Sequence, residues 1–179
     1  IERNSMRRKV FSVETITAYL IALTSIIFLV VFILQSSNVK SIYGKSLRSD
    51  MYDLNSAIDA VKNAIQTDDI NGLILSSTKL GSCKLAGEIH PSIKKHQEKC
   101  MNLLTEYLIA YNDSAYSQDA LKLLQDDLNV NVANLEKLVS HTISSLADMN
   151  TKKMDRSYYK SMSSTSKIYK ELTILDNHL

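Results

Sequence analysis

From Thr15 to Val39 the chain carries no charged side chain, and from Ile16 to Leu34 it is almost continuously apolar. At ~1.5 Å per residue, a helix over that core reaches about 28 Å, close to the ~30 Å hydrocarbon thickness of a bilayer. Signal-peptide cores run only about 7–15 residues, and Gln35-Ser36-Ser37-Asn38 lacks small-x-small cleavage chemistry. A chain of 179 residues could hardly wrap such a helix on every side. An uncleaved transmembrane anchor is therefore expected. Arg7, Arg8 and Lys9 stand directly before it and favour a cytoplasmic N-terminus. Lys40, Lys45 and Arg48 on the far side are partly offset by Asp50 and Asp53. Met6 reads as the natural start. The expected layout is a short basic cytoplasmic segment over 1–14, an anchor over 15–39 and an extracytoplasmic domain over 40–179 of a single-pass cell-membrane protein. Such a plain basic-anchor-domain layout suggests a bacterial origin.

Helix breakers are scarce beyond the anchor. Gly44, Gly72, Gly81, Gly87 and Pro91 are the chain's four glycines and one proline, and none follows Ser92. Hairpin turns need Gly, Asn or Pro at short intervals, so an all-α fold is expected. Leu47, Met51, Leu54, Ile58, Val61 and Ile65 recur in alternating steps of four and three, the coiled-coil-like spacing of one helix face. That helix continues the anchor, with Gly44 as a candidate soft point. Thr67-Asp68-Asp69 can cap a second helix over about 70–86, which Gly87 ends. Pro91 opens a third, burying Ile93, Cys100, Leu103 or Leu104, Tyr107 and Tyr111. A fourth, over about 117–148, carries Leu121, Leu124, Leu128, Val132, Leu135, Val139, Ile143 and Leu146. Asn150-Thr151 caps a fifth with Met154, Tyr158, Met162, Ile168, Leu172 and Leu175, although its Ser161–Ser166 run is poor helix sequence. The fold expected is thus one transmembrane helix continuing into an antiparallel bundle of four to five helices.

Chemistry-bearing residues are few. Cys83 and Cys100 lie almost equidistant from Pro91, so a hairpin there sets them side by side and an oxidising compartment would join them in a disulfide. A zinc site from Cys83, His90, His96 and Cys100 is the alternative, without the tight paired spacing of zinc motifs, and two free buried thiols are the third. Asp126-Asp127 are adjacent on a helix and so diverge. No phosphate loop, Ser/His/Asp order or His-Glu-x-x-His helix occurs, so neither catalytic residue nor cofactor is expected. A net charge of +2, no Trp and no basic run interleaved with aromatics argue against nucleic acid.

Lys153, Lys160 and Lys167 repeat at seven residues, with Arg156 and Lys170 nearby. They form a candidate basic contact face for anionic lipid headgroups or cell-wall polymers. Packing beside the acidic fourth helix, with Asp119, Asp126, Asp127, Glu136 and Asp148, would explain the same pattern. Tyr43, Tyr52, Tyr158 and Tyr159 are expected to be partly exposed.

An anchor running into a helical bundle is similar in outline to the sensor domains of bacterial chemoreceptors and sensor kinases. Those receptors carry a second membrane helix and a cytoplasmic signalling region, and neither precedes Leu179. The expectation is an interaction, sensor-like or scaffold subunit that binds a protein partner or a second copy in the membrane. A different expectation comes from Val10-Phe11-Ser12-Val13-Glu14, which follows Lys9 and leads straight into the apolar run. This string resembles the start of Tad-type pseudopilins, whose leader ends in Gly where Lys9 stands. The resemblance implies an assembly subunit in which Glu14 pairs with a neighbour's N-terminal amine.

Overall fold

The computed structural model describes residues 13–148 and 150–179, with side chains from Thr17 onward. Arg7, Arg8, Lys9 and Val10-Phe11-Ser12 lie outside the described residues. Helices run over Val13–Gln66 (α1), Ile70–Ser82 (α2), Ala86–Ile89 (α3), Pro91–Asn112 (α4), Gln118–Leu146 (α5), Thr151–Ser161 (α6) and Lys167–Asp176 (α7), and no strand occurs among the described residues. The chain is all-helical, as its scarcity of breakers implies. It divides into two compact units, 1–39 and 40–179.

In the first unit, α1 presents apolar side chains on all sides. Tyr19, Phe28 (81% exposed), Phe32 and Leu34 are all exposed. Two of its hydroxyls bond back to the helix: Thr24 donates, shared between the Leu20 and Ile21 carbonyls at 2.9 Å, and Ser25 donates to Ile21 at 2.8 Å. By length and composition this helix can cross a membrane.

In the second unit the same helix turns one-sided. Leu47, Met51, Leu54 and Val61 are fully buried and Ile58 nearly so. They meet Leu73 and Leu80 of α2, Ile93 and Leu104 of α4, Leu128, Leu135 and Val139 of α5, and Tyr158, Ile168 and Leu172 of the last two helices in one core. Each such side chain contributes roughly 1.5–3 kcal/mol by burial. Asp68 takes a positive φ of 52° to end α1, a conformation Asp tolerates better than most residues. Asp69, Ser117, Asn150 and Ser166 cap α2, α5, α6 and α7, each side chain accepting a backbone N–H of the first turn.

Several expectations are corrected. Gly44 is no soft point: it is buried within α1 because α6 passes against it, and a Cβ there would overlap the Asp155 carbonyl. The second helix stops at Ser82 instead of near Ala86, and Gly87 sits inside the separate turn α3. Two side chains from elsewhere hold this break. Gln97 donates its amide to the Leu80 and Cys83 carbonyls at 2.6 and 2.8 Å, closing α2, and Asp50 accepts the Ala86 N–H at 2.7 Å, opening α3. The expected fifth helix divides into α6 and α7, because Ser161, Ser163 and Ser166 spend their side chains on local turn bonds. Leu104 rather than Leu103 is fully buried, and Tyr111 is 45% exposed.

Candidate functional site

The cysteines are unjoined. Cys83 and Cys100 are both free and buried, correcting the expected disulfide. Equidistance from Pro91 fails as a guide because α3 intervenes between α2 and α4. Gln97, three residues before Cys100, is the α4 side chain that reaches Cys83, whose own thiol turns back to donate to the Lys79 carbonyl at 3.3 Å. Burial pushes the Cys83 thiol up to about 11 and Cys100 up to about 12, so both stay protonated and unreactive. The zinc alternative fails too: His90 and His96 turn towards α7, and no three potential ligands converge among the described residues.

Those histidines belong to a polar clamp that joins the start of α4 to the end of α7. His90 caps α4, its Nδ1 accepting the Ser92 N–H at 3.1 Å. Its Nε2 therefore carries the proton and donates to Thr173 Oγ1 at 3.0 Å, and Thr173 donates onward to the Tyr169 carbonyl. The ring also packs edge-on against Tyr169. Asp176 accepts from Ser92 Oγ at 2.8 Å and from His96 Nε2 at 2.7 Å, with Lys95 Nζ at 3.5 Å. Partial burial raises the Asp176 carboxyl, but the His96 and Ser92 bonds and the Lys95 charge outweigh it and hold the group below its ordinary range. Burial pushes the His90 imidazole down, with the Asp176 charge opposing. The residue types are those of a hydrolase triad, yet the carboxylate lies between hydroxyl and imidazole, so Ser92 meets Asp176 instead of an imidazole. The arrangement fastens the start of α4 to the end of α7.

The candidate basic residues are split by the helix break. Lys153, Arg156 and Lys160 lie on α6, Lys167 and Lys170 on α7, all exposed. Lys153 pairs with Asp148 at 3.0 Å and Lys167 with Glu171 at 3.4 Å. Of the acidic residues of the expected fourth helix, Asp148 thus meets the basic face, whereas Glu136 pairs with Lys62 of α1 at 2.8 Å. What organises this region is the seating of α6 on α1. Arg48 Nε donates to the buried Asp155 at 2.8 Å, and Tyr43 packs edge-on against Tyr159 with ring centroids 6.2 Å apart. Tyr158 is fully buried between them in sequence, against the expectation of partial exposure, and burial raises its hydroxyl well above the ordinary range. Because Asp155 meets Arg48 while Tyr159 meets Tyr43, α6 runs antiparallel to this part of α1. The α6–α7 corner is thereby directed towards Lys40. There Tyr159, Lys160, Met162, Ser163, Thr165 and Ser166 line an open cleft of about 550 Å³.

In comparisons with known proteins, no family model, no curated protein and no solved structure matches this chain. The clamp escaped sequence reading because Asp176 lies some 80 residues from Ser92 and His96. The i, i+4 placement of Ser92 and His96 beside Pro91 was the sole local signal.

Proposed function

We propose that this chain is a membrane-anchored, non-enzymatic protein whose unit 40–179 is an extracytoplasmic antiparallel helical bundle serving as an interaction, sensor-like or scaffold subunit of a membrane complex. The observation that carries the reading is the change of character along α1, from apolar and exposed on every side to apolar and buried on one stripe. A helix that is greasy all round needs a non-aqueous surrounding, and a bilayer supplies it. A non-enzymatic role is supported by the two protonated, buried thiols and by Asp176 standing between Ser92 and His96. α1 is shared between anchor and bundle, so a partner that binds the bundle would be held beside the membrane.

The test is to express the full chain in bacterial cells, extract membranes with alkaline carbonate and treat intact spheroplasts with protease. The protein is expected to stay in the carbonate-insoluble fraction and to lose its 40–179 unit to external protease. Release by carbonate would refute the anchor. Protection from external protease with sensitivity after lysis would refute the orientation. A purified chain whose first residue is Val10 would favour the Tad-type pseudopilin reading instead.

A further inference from the structure

We propose that the α6–α7 corner, with the first turns of the second unit, is a docking surface for anionic phospholipid headgroups of the bilayer that holds α1. This deepens the basic-face reading and rests on the anchor reading of α1. Three observations carry it. Gly44, the residue on which α6 is seated, lies five residues beyond Val39, where the uncharged run ends. Even fully extended, five residues span at most about 18 Å, so Gly44, and with it the turn of α6 seated on it, is tethered within that distance of the end of the uncharged run. The contacts of Arg48 with Asp155 and of Tyr43 with Tyr159 run in opposite chain order, so α6 points its C-terminal end, and the corner after it, towards Lys40.

The third observation is chemical. Lys40, Lys45 and Lys160 are exposed and make no ion pair among the described residues, unlike Arg48, Lys62, Lys153 and Lys167. Around Lys160 the cleft offers the Ser163 and Thr165 hydroxyls, exposed and bonded to each other at 2.9 Å, with Tyr159 and Met162 half-buried beside them. Ammonium groups and hydroxyls suit a phosphodiester, and a Tyr ring and a thioether suit the apolar margin beneath it. The seven-residue lysine repeat is not the recognising feature. The helix break redistributes it, and the corner created by that break carries the surface.

The chain has no Trp, so a single introduced Trp is a clean reporter. The full chain would be reconstituted into vesicles of phosphatidylcholine brominated near the top of its acyl chains, with or without phosphatidylglycerol. Ser164→Trp reports on the corner, Phe32→Trp on the anchor, and Leu123→Trp on the exposed face of α5 near the opposite end, where Asp68, Tyr111 and Gln118 meet. Circular dichroism checks folding, and Thr165→Trp repeats the corner measurement. Bromine is expected to quench Phe32→Trp in both lipids, Ser164→Trp mainly in the anionic lipid, and Leu123→Trp in neither. Removing one lysine contact should weaken docking about fivefold, so adding Lys160→Glu to Ser164→Trp should cost at least that. If Phe32→Trp escapes quenching, the anchor fails and this inference with it. Quenching of Phe32→Trp with Ser164→Trp behaving like Leu123→Trp would leave the anchor standing and overturn the docking surface. Corner quenching that ignores lipid charge or Lys160→Glu would also overturn it, because the headgroups would not be what the corner recognises.

Discussion

Gly44→Ala separates two opposite expectations for one methyl group. In a helix open to solvent the change stabilises by about 1 kcal/mol, since Ala is the better helix former. Here a Cβ would stand 2.6 Å from the Asp155 carbonyl carbon, where ordinary contact begins near 3.4 Å. The obstructing atoms are helical backbone and cannot swing aside, so α6 must retreat by roughly an ångström. Overpacking of this kind costs about 1–3 kcal/mol. The retreat also lengthens the 2.8 Å Arg48–Asp155 bond, a charge-assisted contact of about 1.5–3 kcal/mol. These terms overlap, and set against the helix-propensity gain they leave a net loss of about 2 kcal/mol, concentrated on α6. Native-state hydrogen exchange on the full chain in lipid nanodiscs reads this directly. Amides of Thr151–Ser161 should exchange about 30-fold faster, while those of the α4–α5 pair hardly change. Unchanged or slower exchange of α6, with a gain in urea resistance, would refute the crossing of α6 over Gly44 and the direction given to the α6–α7 corner.

Gln97→Ala should cost about 1–3 kcal/mol in urea unfolding, because it leaves the buried Leu80 and Cys83 carbonyls without their donor; a loss under a few tenths would refute the capping role. The native chain should show no thiol reactive to maleimide at about pH 8, and both Cys83 and Cys100 should label after unreduced unfolding; failure of the unfolded chain to label would mean the two are joined. Stability should also fall with acid through His90. Its folded imidazole is held below the ordinary value near 6.5, so the unfolded chain takes up the proton first. Its contribution is complete above about pH 6.5 and is lost as pH falls through the folded value. Asp176, held below its ordinary range, keeps its contribution until pH drops beneath about 4. His90→Asn retains a capping acceptor and should flatten the slope between about pH 7 and pH 5; an unaltered slope would refute the assignment.

Patterns confined to one helix were legible in the sequence. The 47-51-54-58-61-65 stripe is the α1 face that the core buries, and the caps at Asp69, Ser117 and Asn150 stand where short polar side chains precede apolar periodicity. What escaped reading was set by residues far along the chain. α2 ends at Ser82 because Gln97 closes it, and α3 begins at Ala86 because Asp50 accepts that N–H from 36 residues upstream. Gly44 reads locally as a flexible point, and its reason is a carbonyl on Asp155. Tyr158 reads equally well as apolar stripe or exposed ring, and the closeness of α6 to α1 puts it in the core. Spacing about Pro91 suggested a disulfide by assuming a plain hairpin, and the inserted turn α3 shifts the register so that Gln97 meets Cys83.

α1 changes character along its length. From Tyr19 to Leu34 its large apolar side chains are exposed on every side, Phe28 and Phe32 among them. From Lys40 the charged side chains Lys40, Lys45, Arg48, Asp50 and Asp53 stay exposed or half-buried while Leu47, Met51 and Leu54 enter a core. The first buried position after the change is Gly44, where the absence of a side chain lets another helix approach most closely. A bulky residue there would push α6 outward just beyond the uncharged run. The glycine therefore gives the tight α6 seating its place within five residues of the uncharged run, and with it the position of Tyr159, Lys160 and the corner that follows. That link makes the exchange of α6 amides in Gly44→Ala and the quenching of Ser164→Trp two readings of one geometry: loosening the first should weaken the second.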